Sequence, residues 1–201
     1  MRTSSAISFC FALLIGAGSF VSAVAQSPSE WLTSHGQLTS LSQTALEFRT
    51  GDTLALALLA FPPDSPYSTL RVELAVEPTH WHDTTSAAYL VVGTDSVGVL
   101  RLWAAGYSGR HQAVEWGPLR ATSRVPTPDV FPQKTKTVTI LPRTGSLYFK
   151  WVISADTENF IEVNGVPLNL PPFMLPWHIT YVGVAIRNAT VRFHQPQVVR
   201  E

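Results

Sequence analysis

The chain is short of the residues that hold small exported proteins together. Its one cysteine is Cys10, close to the N-terminus. A disulfide framework, a Cys-based zinc site and a thiol nucleophile are therefore excluded for residues 26–201. Charge is scarce too: Asp, Glu, Lys and Arg make up 14 % of the chain, against about 25 % in an average soluble protein. The surface must be built largely from Ser, Thr, Gln, Asn and Pro. With 14 basic and 14 acidic residues, neither sign dominates and no long-range field draws in a polyanion, so nucleic acid is not an expected partner. Long apolar runs are missing beyond the first segment. The longest is Leu54 to Phe61, strand-sized and far below the ~20 residues that span a bilayer, so no membrane insertion is expected.

The first segment itself reads as an export signal. Arg2 precedes the apolar stretch Phe9 to Ile15, and Ala23-Val24-Ala25 supplies a small-residue cleavage site. The expectation is a signal peptide over residues 1–25, a mature chain from Gln26, and a secreted, extracellular product. Residues 26–201 are enough for one domain with a single core. With 45 % hydrophobic residues, the chain can fill it.

Past the signal, short runs of period two alternate with Pro, Gly, Asp and Ser, and almost nothing recurs at helical spacing. In Arg71 to Glu77, Val72, Leu74 and Val76 share one face while Arg71, Glu73 and Glu77 share the other. The same alternation predicts half-buried strands in Lys136 to Ile140, Leu147 to Ile153 and Tyr181 to Arg187. Thr53 to Phe61 alternates Leu with Ala, which predicts a central strand covered on both sides. Asn164-Gly165 tolerates positive φ at both positions and predicts a type I′ hairpin, and a second tight turn is expected at Asn188-Ala189. The Pro-rich stretch Val125 to Pro132 reads as a long surface connection. About ten strands at this spacing predict an all-β fold of two packed antiparallel sheets, a sandwich or jelly roll.

Catalytic patterns are thin. Gly93-Thr94-Asp95-Ser96-Val97-Gly98 is the nearest approach to a cofactor loop, but it leads into the strand-like Val99 to Trp103 and offers no helix N-terminus. A hairpin turn is the expected structure, and no cofactor is expected. Gly106-Tyr107-Ser108-Gly109 lacks the spacing of a nucleophile elbow and reads as a loop. His80 and His82, at i and i+2, would share a strand face and could ligate a metal, but no third ligand stands nearby in sequence. They read as surface histidines, with no metal site expected. Asp156, Glu158 and Glu162 read as a solvated face rather than a glycosidase pair.

Aromatic and polar residues suited to recognition remain. Trp81, Trp103, Trp116 and Trp177 are predicted at strand ends or loops, with His111, Glu115 and Arg120 near Trp116. An indole can meet the apolar face of a sugar ring while its N–H reaches water, and it can equally pack a core. The candidate ligand-binding residues are Trp81, His111, Trp116, Arg120 and Trp177. Asn188-Ala189-Thr190 is an acceptor motif for N-linked glycan at an expected exposed turn.

Three pieces carry a family resemblance. They are Ala88-Tyr89-Leu90-Val91-Val92-Gly93 continuing to Val97-Gly98-Val99-Leu100-Arg101, then Phe149-Lys150-Trp151, and Pro171-Pro172-Phe173 leading to Tyr181-Val182-Gly183-Val184. In order and spacing they resemble the domain named after farnesoic acid O-methyltransferase, though the family's second Gly and following Asn are absent. The resemblance implies an all-β, concanavalin-like domain, often extracellular. Trp116-Gly117-x-x-Arg120 and Phe160 to Gly165 resemble galectin strands, without the galectin sugar motif His-x-Asn-Pro-Arg.

The expectation is a secreted, non-catalytic binding module whose partner is a glycan or a glycosylated surface. Two alternatives stand beside it: a small-molecule methyltransferase, as the family name implies, and a structural or protein-interaction domain. Nothing in the pattern fixes an oligomeric state.

Overall fold

Extended backbone sends successive side chains to opposite faces, so the alternation in the sequence becomes two layers sharing an apolar interior. The computed structural model describes residues 31–42, 45–60, 69–96, 99–109, 113–121, 126–130, 145–154, 159–169 and 179–200. Among them there is no helix, and fifteen strands form two antiparallel sheets.

The seven-stranded sheet holds β1 (Trp31–Ser34), β4 (Ala55–Ala60), β13 (Tyr181–Arg187), β6 (Ala87–Ser96), β7 (Val99–Ser108), β8 (Ala113–Ala121) and β9 (Pro126–Val130), in that spatial order. The eight-stranded sheet runs β12 (Val166–Asn169), β11 (Phe160–Val163), β10 (Leu147–Ser154), β5 (Thr69–Trp81), β14 (Ala189–His194), β3 (Ala45–Arg49), β2 (Gln37–Ser40). Its eighth strand, β15 (Gln197–Arg200), also pairs with β5. β5 is the spine of this sheet. One edge pairs with β10 over Thr69 to Val76, and the other takes β14 near Trp81 and then β15 near Leu70.

The shared interior is built as the periodicity predicts. Val72, Leu74 and Val76 of β5 and Leu147, Phe149, Trp151 and Ile153 of β10 face Leu90 and Val92 of β6 and Val182, Val184 and Ile186 of β13. The seven-stranded sheet is also apolar and buried on its outer face, where Leu56, Leu58, Tyr89, Val91, Leu102 and Ala185 form a second cluster. β4 is therefore covered on both sides, as its Leu/Ala alternation predicts. β13 departs from the half-buried expectation: it lies between β4 and β6, and its Ala185 is as buried as its valines. Gly183 fits there because a Cβ would sit 2.0 Å from the Ala57 carbonyl oxygen.

Turn chemistry holds at Asn164-Gly165, with φ of 51° and 79° and Val163 opposite Val166. Other connections differ from expectation. Residues 126–130 are not a loop but the edge strand β9, a position where proline's missing N–H leaves no ladder bond unmade. Gly106 to Ser108 complete β7, held there by the buried Ala105 and Tyr107. Gly93 to Ser96 belong to β6, which pairs antiparallel with β7 as far as Ser96 opposite Val99, and Gly93 is paired to both Leu102 and Tyr181 in mid-sheet. The turn at Asn188 exists, but it carries the chain from one sheet to the other rather than closing a hairpin. Residues 1–30, the predicted strand 136–140 and Asp156 and Glu158 lie outside the described residues.

Candidate functional site at the crossing end

Strand order forces the chain to pass between the sheets four times at one end of the sandwich. β1 leads to β2 through His35-Gly36, β3 to β4 through Thr50 to Leu54, β5 to β6 through His82 to Ser86, and β13 to β14 through Asn188. Registers place these crossings together: Ser34 lies opposite Leu56, Ile186 opposite Ala55, Ala87 opposite Arg187, and Ala189 opposite Trp81. Turn residues that look unrelated in sequence thus share one surface.

Asn188 ties them together. Its φ is 46°, in the left-handed region that Asn tolerates better than most residues. Its N–H donates to the Gly51 carbonyl at 2.9 Å, and its own carbonyl accepts from the His82 N–H at 2.9 Å and from the Ser86 hydroxyl at 2.5 Å. Its Nδ2 donates to Asp83 Oδ2 at 3.0 Å and to Thr85 Oγ1 at 2.7 Å. Thr50, buried beside it, donates its N–H to the Ala189 carbonyl and its hydroxyl to the Thr53 carbonyl at 2.9 Å. Asp83 Oδ1 accepts from the Thr85 N–H at 2.6 Å and the Thr85 hydroxyl at 2.7 Å. The Thr85 hydroxyl, the Thr85 N–H and the Asn188 amide hold the Asp83 carboxyl below its ordinary value. The sequence expectation of an exposed glycan acceptor does not match this placement. Asn188 is only 6 % exposed, and a glycan on Nδ2 replaces one of the two hydrogens that bond Asp83 and Thr85.

A β-bulge aims the aromatic groups. Thr190 pairs with His80 but Val191 pairs with Pro78, so Thr79 is an extra residue in β5. Even-numbered residues from Leu70 to Val76 face the core, and without the bulge His80 would follow them inward. The inserted residue reverses the alternation. Trp81 turns inward to pack on the core edge, 6.0 Å from the Tyr107 ring, while His80 and His82 stay exposed with ring centroids 4.7 Å apart.

Two open depressions flank this strand end. One, of about 530 Å³, is lined by Pro78, Thr79, His80, Trp81, Asp83, Thr84 and Gly145. The other, of about 610 Å³, is bordered by His35, Gln37, Arg49, Asp52 and His82. Arg49, Gln37 and Asp52 form no side-chain hydrogen bond or ion pair among the described residues. His35 has a φ of 56°, a second left-handed residue at this end. Beneath Trp81, the buried Tyr107 hydroxyl has no hydrogen-bond partner among the described residues.

Of the residues singled out from sequence, Trp81 belongs to this end. Trp116 does not: it lies in β8, 6 % exposed, as part of the shared interior, because its strand position faces the opposite sheet. Trp103 is also in mid-strand, in β7. Arg120 falls one residue before the end of β8. His111 and Trp177 lie outside the described residues, although the connection that contains His111 leaves β7 at Gly109, whose N–H donates to the Ser86 carbonyl at this same end. Sequence reasoning missed Asp83, Thr85, Arg49 and Asp52. The available signal was the clustering of Gly, Asp, Thr and Ser between period-two runs. Their convergence follows from strand order.

No protein-family model matches the chain, and no curated protein matches it in sequence. Solved structures with a similar strand arrangement include the cellulose-induced protein Cip1, at 10 % identity over 86 % of this chain and 92 % of that one, TM-score 0.48. An alginate lyase from a Chlorella virus, vAL-1, is 10 % identical over 86 % of this chain and 94 % of its own, TM-score 0.49. A botulinum neurotoxin type C structure, whose cell entry depends on two ganglioside molecules, is 8 % identical over 84 % of this chain and 43 % of its own, TM-score 0.49. At these values no function is carried over from them.

Proposed function

We propose that this is an exported, non-catalytic recognition domain that binds a saccharide at the crossing end of the sandwich. The observation that carries the reading is Trp81, a half-buried indole lining an open depression beside His80, Asp83, Thr79 and Thr84. An aromatic face next to hydroxyl, carboxylate and imidazole groups matches the two sides of a sugar ring, apolar C–H on one and hydroxyls on the other. Arg49, Gln37 and Asp52, across His82, extend the polar lining. Both depressions rest on the hydrogen-bonded crossings, which hold the lining in place before a ligand arrives.

Export rests on Arg2, the apolar stretch to Ile15 and Ala23-Val24-Ala25. Methyl transfer is not part of the reading, since Gly93 to Ser96, from the closest approach to a cofactor loop, lie within β6 and pair with β7. A broad glycan array, followed by titration of intrinsic Trp fluorescence with the best saccharide, tests the proposal. Saturable binding is expected from the intact protein, with a loss of at least about tenfold in Trp81→Ala, equal to about 1.4 kcal/mol. Silence toward every saccharide, or undiminished binding in the variant, overturns it.

A further inference from the structure

We propose that His80 and His82 form a bidentate clip for a late first-row divalent cation such as Zn²⁺, Ni²⁺ or Cu²⁺. The inference stands apart from saccharide binding and rests on the spacing of the two rings. In a complex where one metal binds two imidazoles, each ring centroid lies about 3.2 Å from the ion, given a metal–nitrogen bond of about 2.0–2.1 Å. Nitrogen–metal–nitrogen angles of about 90–110° then put the centroids roughly 4.5–5.2 Å apart. The observed separation is 4.7 Å. The ring planes stand at 73° to one another, and their spacing falls within the range that two ligands of one ion require.

The backbone arrangement makes this spacing a product of the fold. His80 is the last residue but one of β5 and His82 the first residue beyond it, and the extra residue Thr79 decides which face His80 takes. With regular pairing, His80 would face the core in place of Trp81. The bulge turns both histidines outward, exposed, with Trp81 anchored between them against the interior. Bulges often re-aim side chains in this way beside functional sites.

The donor chemistry selects the ion. Neutral imidazole suits Zn, Ni and Cu, whereas Ca²⁺ and Mg²⁺ prefer oxygen ligands. Among the described residues no group of three or more His, Cys, Asp or Glu converges on one point. The Asp83 carboxylate, next in sequence, is occupied by Thr85 and Asn188. The clip therefore supplies two ligands and leaves the other coordination positions to water or to an incoming oxygen or nitrogen donor.

Isothermal titration with ZnCl₂, NiCl₂ and CuCl₂ tests the site in the intact protein, with imidazole NMR shifts as an independent readout. One ion per chain is expected, with shifts in the resonances of His80 and His82. His80→Ala and His82→Ala should each weaken binding by about tenfold or more, since either leaves a single ligand. Both residues are exposed, so the variants should keep the circular dichroism of the parent. Absence of binding at about 1 mM of all three ions overturns the proposal. So does binding that persists in both variants or that depends on only one histidine.

Discussion

The middle of the sandwich and its crossing end use opposite means to reach the same rigidity. In the middle, Trp151, Phe149, Leu74 and Val184 are buried in one apolar cluster. Order there comes from close packing and the removal of apolar surface from water. At the crossing end the chain must leave its ladders four times, so backbone groups lose their regular partners and find them in Asn188, Thr50, Asp83 and Ser86. Packing is insensitive to direction, whereas these hydrogen bonds fix each turn in one conformation. The lesson is that polar side chains concentrate where strands change sheets.

The contrast can be broken from either side. The largest effect is expected in the middle: Trp151→Ala should cost about 3–5 kcal/mol in urea unfolding, through lost burial and the cavity left between the two sheets. A loss below about 1 kcal/mol would mean that the interior is not packed as described. At the crossing end, Asn188→Asp places a second carboxylate against Asp83 and removes its amide donor. A loss of about 2 kcal/mol at neutral pH is expected, partly recovered at pH 4 as the shared site takes up a proton. A stability unchanged at neutral pH would remove Asn188 from its central place.

Smaller effects sharpen the comparison through pH. Asp83 has its pKa lowered from an ordinary 3.8, chiefly by the Thr85 hydroxyl. Its contribution to stability is thus complete above that value and lost as pH falls through the lower folded value. Asp83→Asn should flatten the acid limb of a stability profile while leaving the alkaline limb intact. On the outer face of the eight-stranded sheet, Tyr148 is pushed up from 10.0 to about 12 by burial, by its hydrogen bond to Glu73 and by the Glu73 charge. The stability it contributes is present below pH 10.0 and declines as pH rises toward about 12. Tyr148→Phe should remove that decline, and an identical alkaline limb in parent and variant would count against the Glu73 contact.

Much of the fold was legible because burial leaves a period of two in the sequence. The faces of β5 and β10, the doubly covered β4 and the Asn164-Gly165 turn all follow from residue order alone. Positions that depend on strand neighbours were less legible. Trp116 carries the same side chain whether it lines a surface or a core, and only its place in β8 sends it inward. The proline-rich β9 looked unlike a strand because an edge needs few of the features that mark a central one. For the crossing end, sequence showed the ingredients: His80, Trp81, His82 and Asn188. It did not show the bulge at Thr79, which requires knowing that β14 lies beside β5.

The order in which strands arrive has a kinetic consequence. β13 fills the slot between β4 and β6, and β14 fills the slot between β3 and β5, so residues 181–194 complete both layers at once. Strands formed earlier along the chain wait with open edges until that stretch becomes available, and such long-range closure is slow. Neither layer of such a sandwich can close until that one stretch has found its two slots.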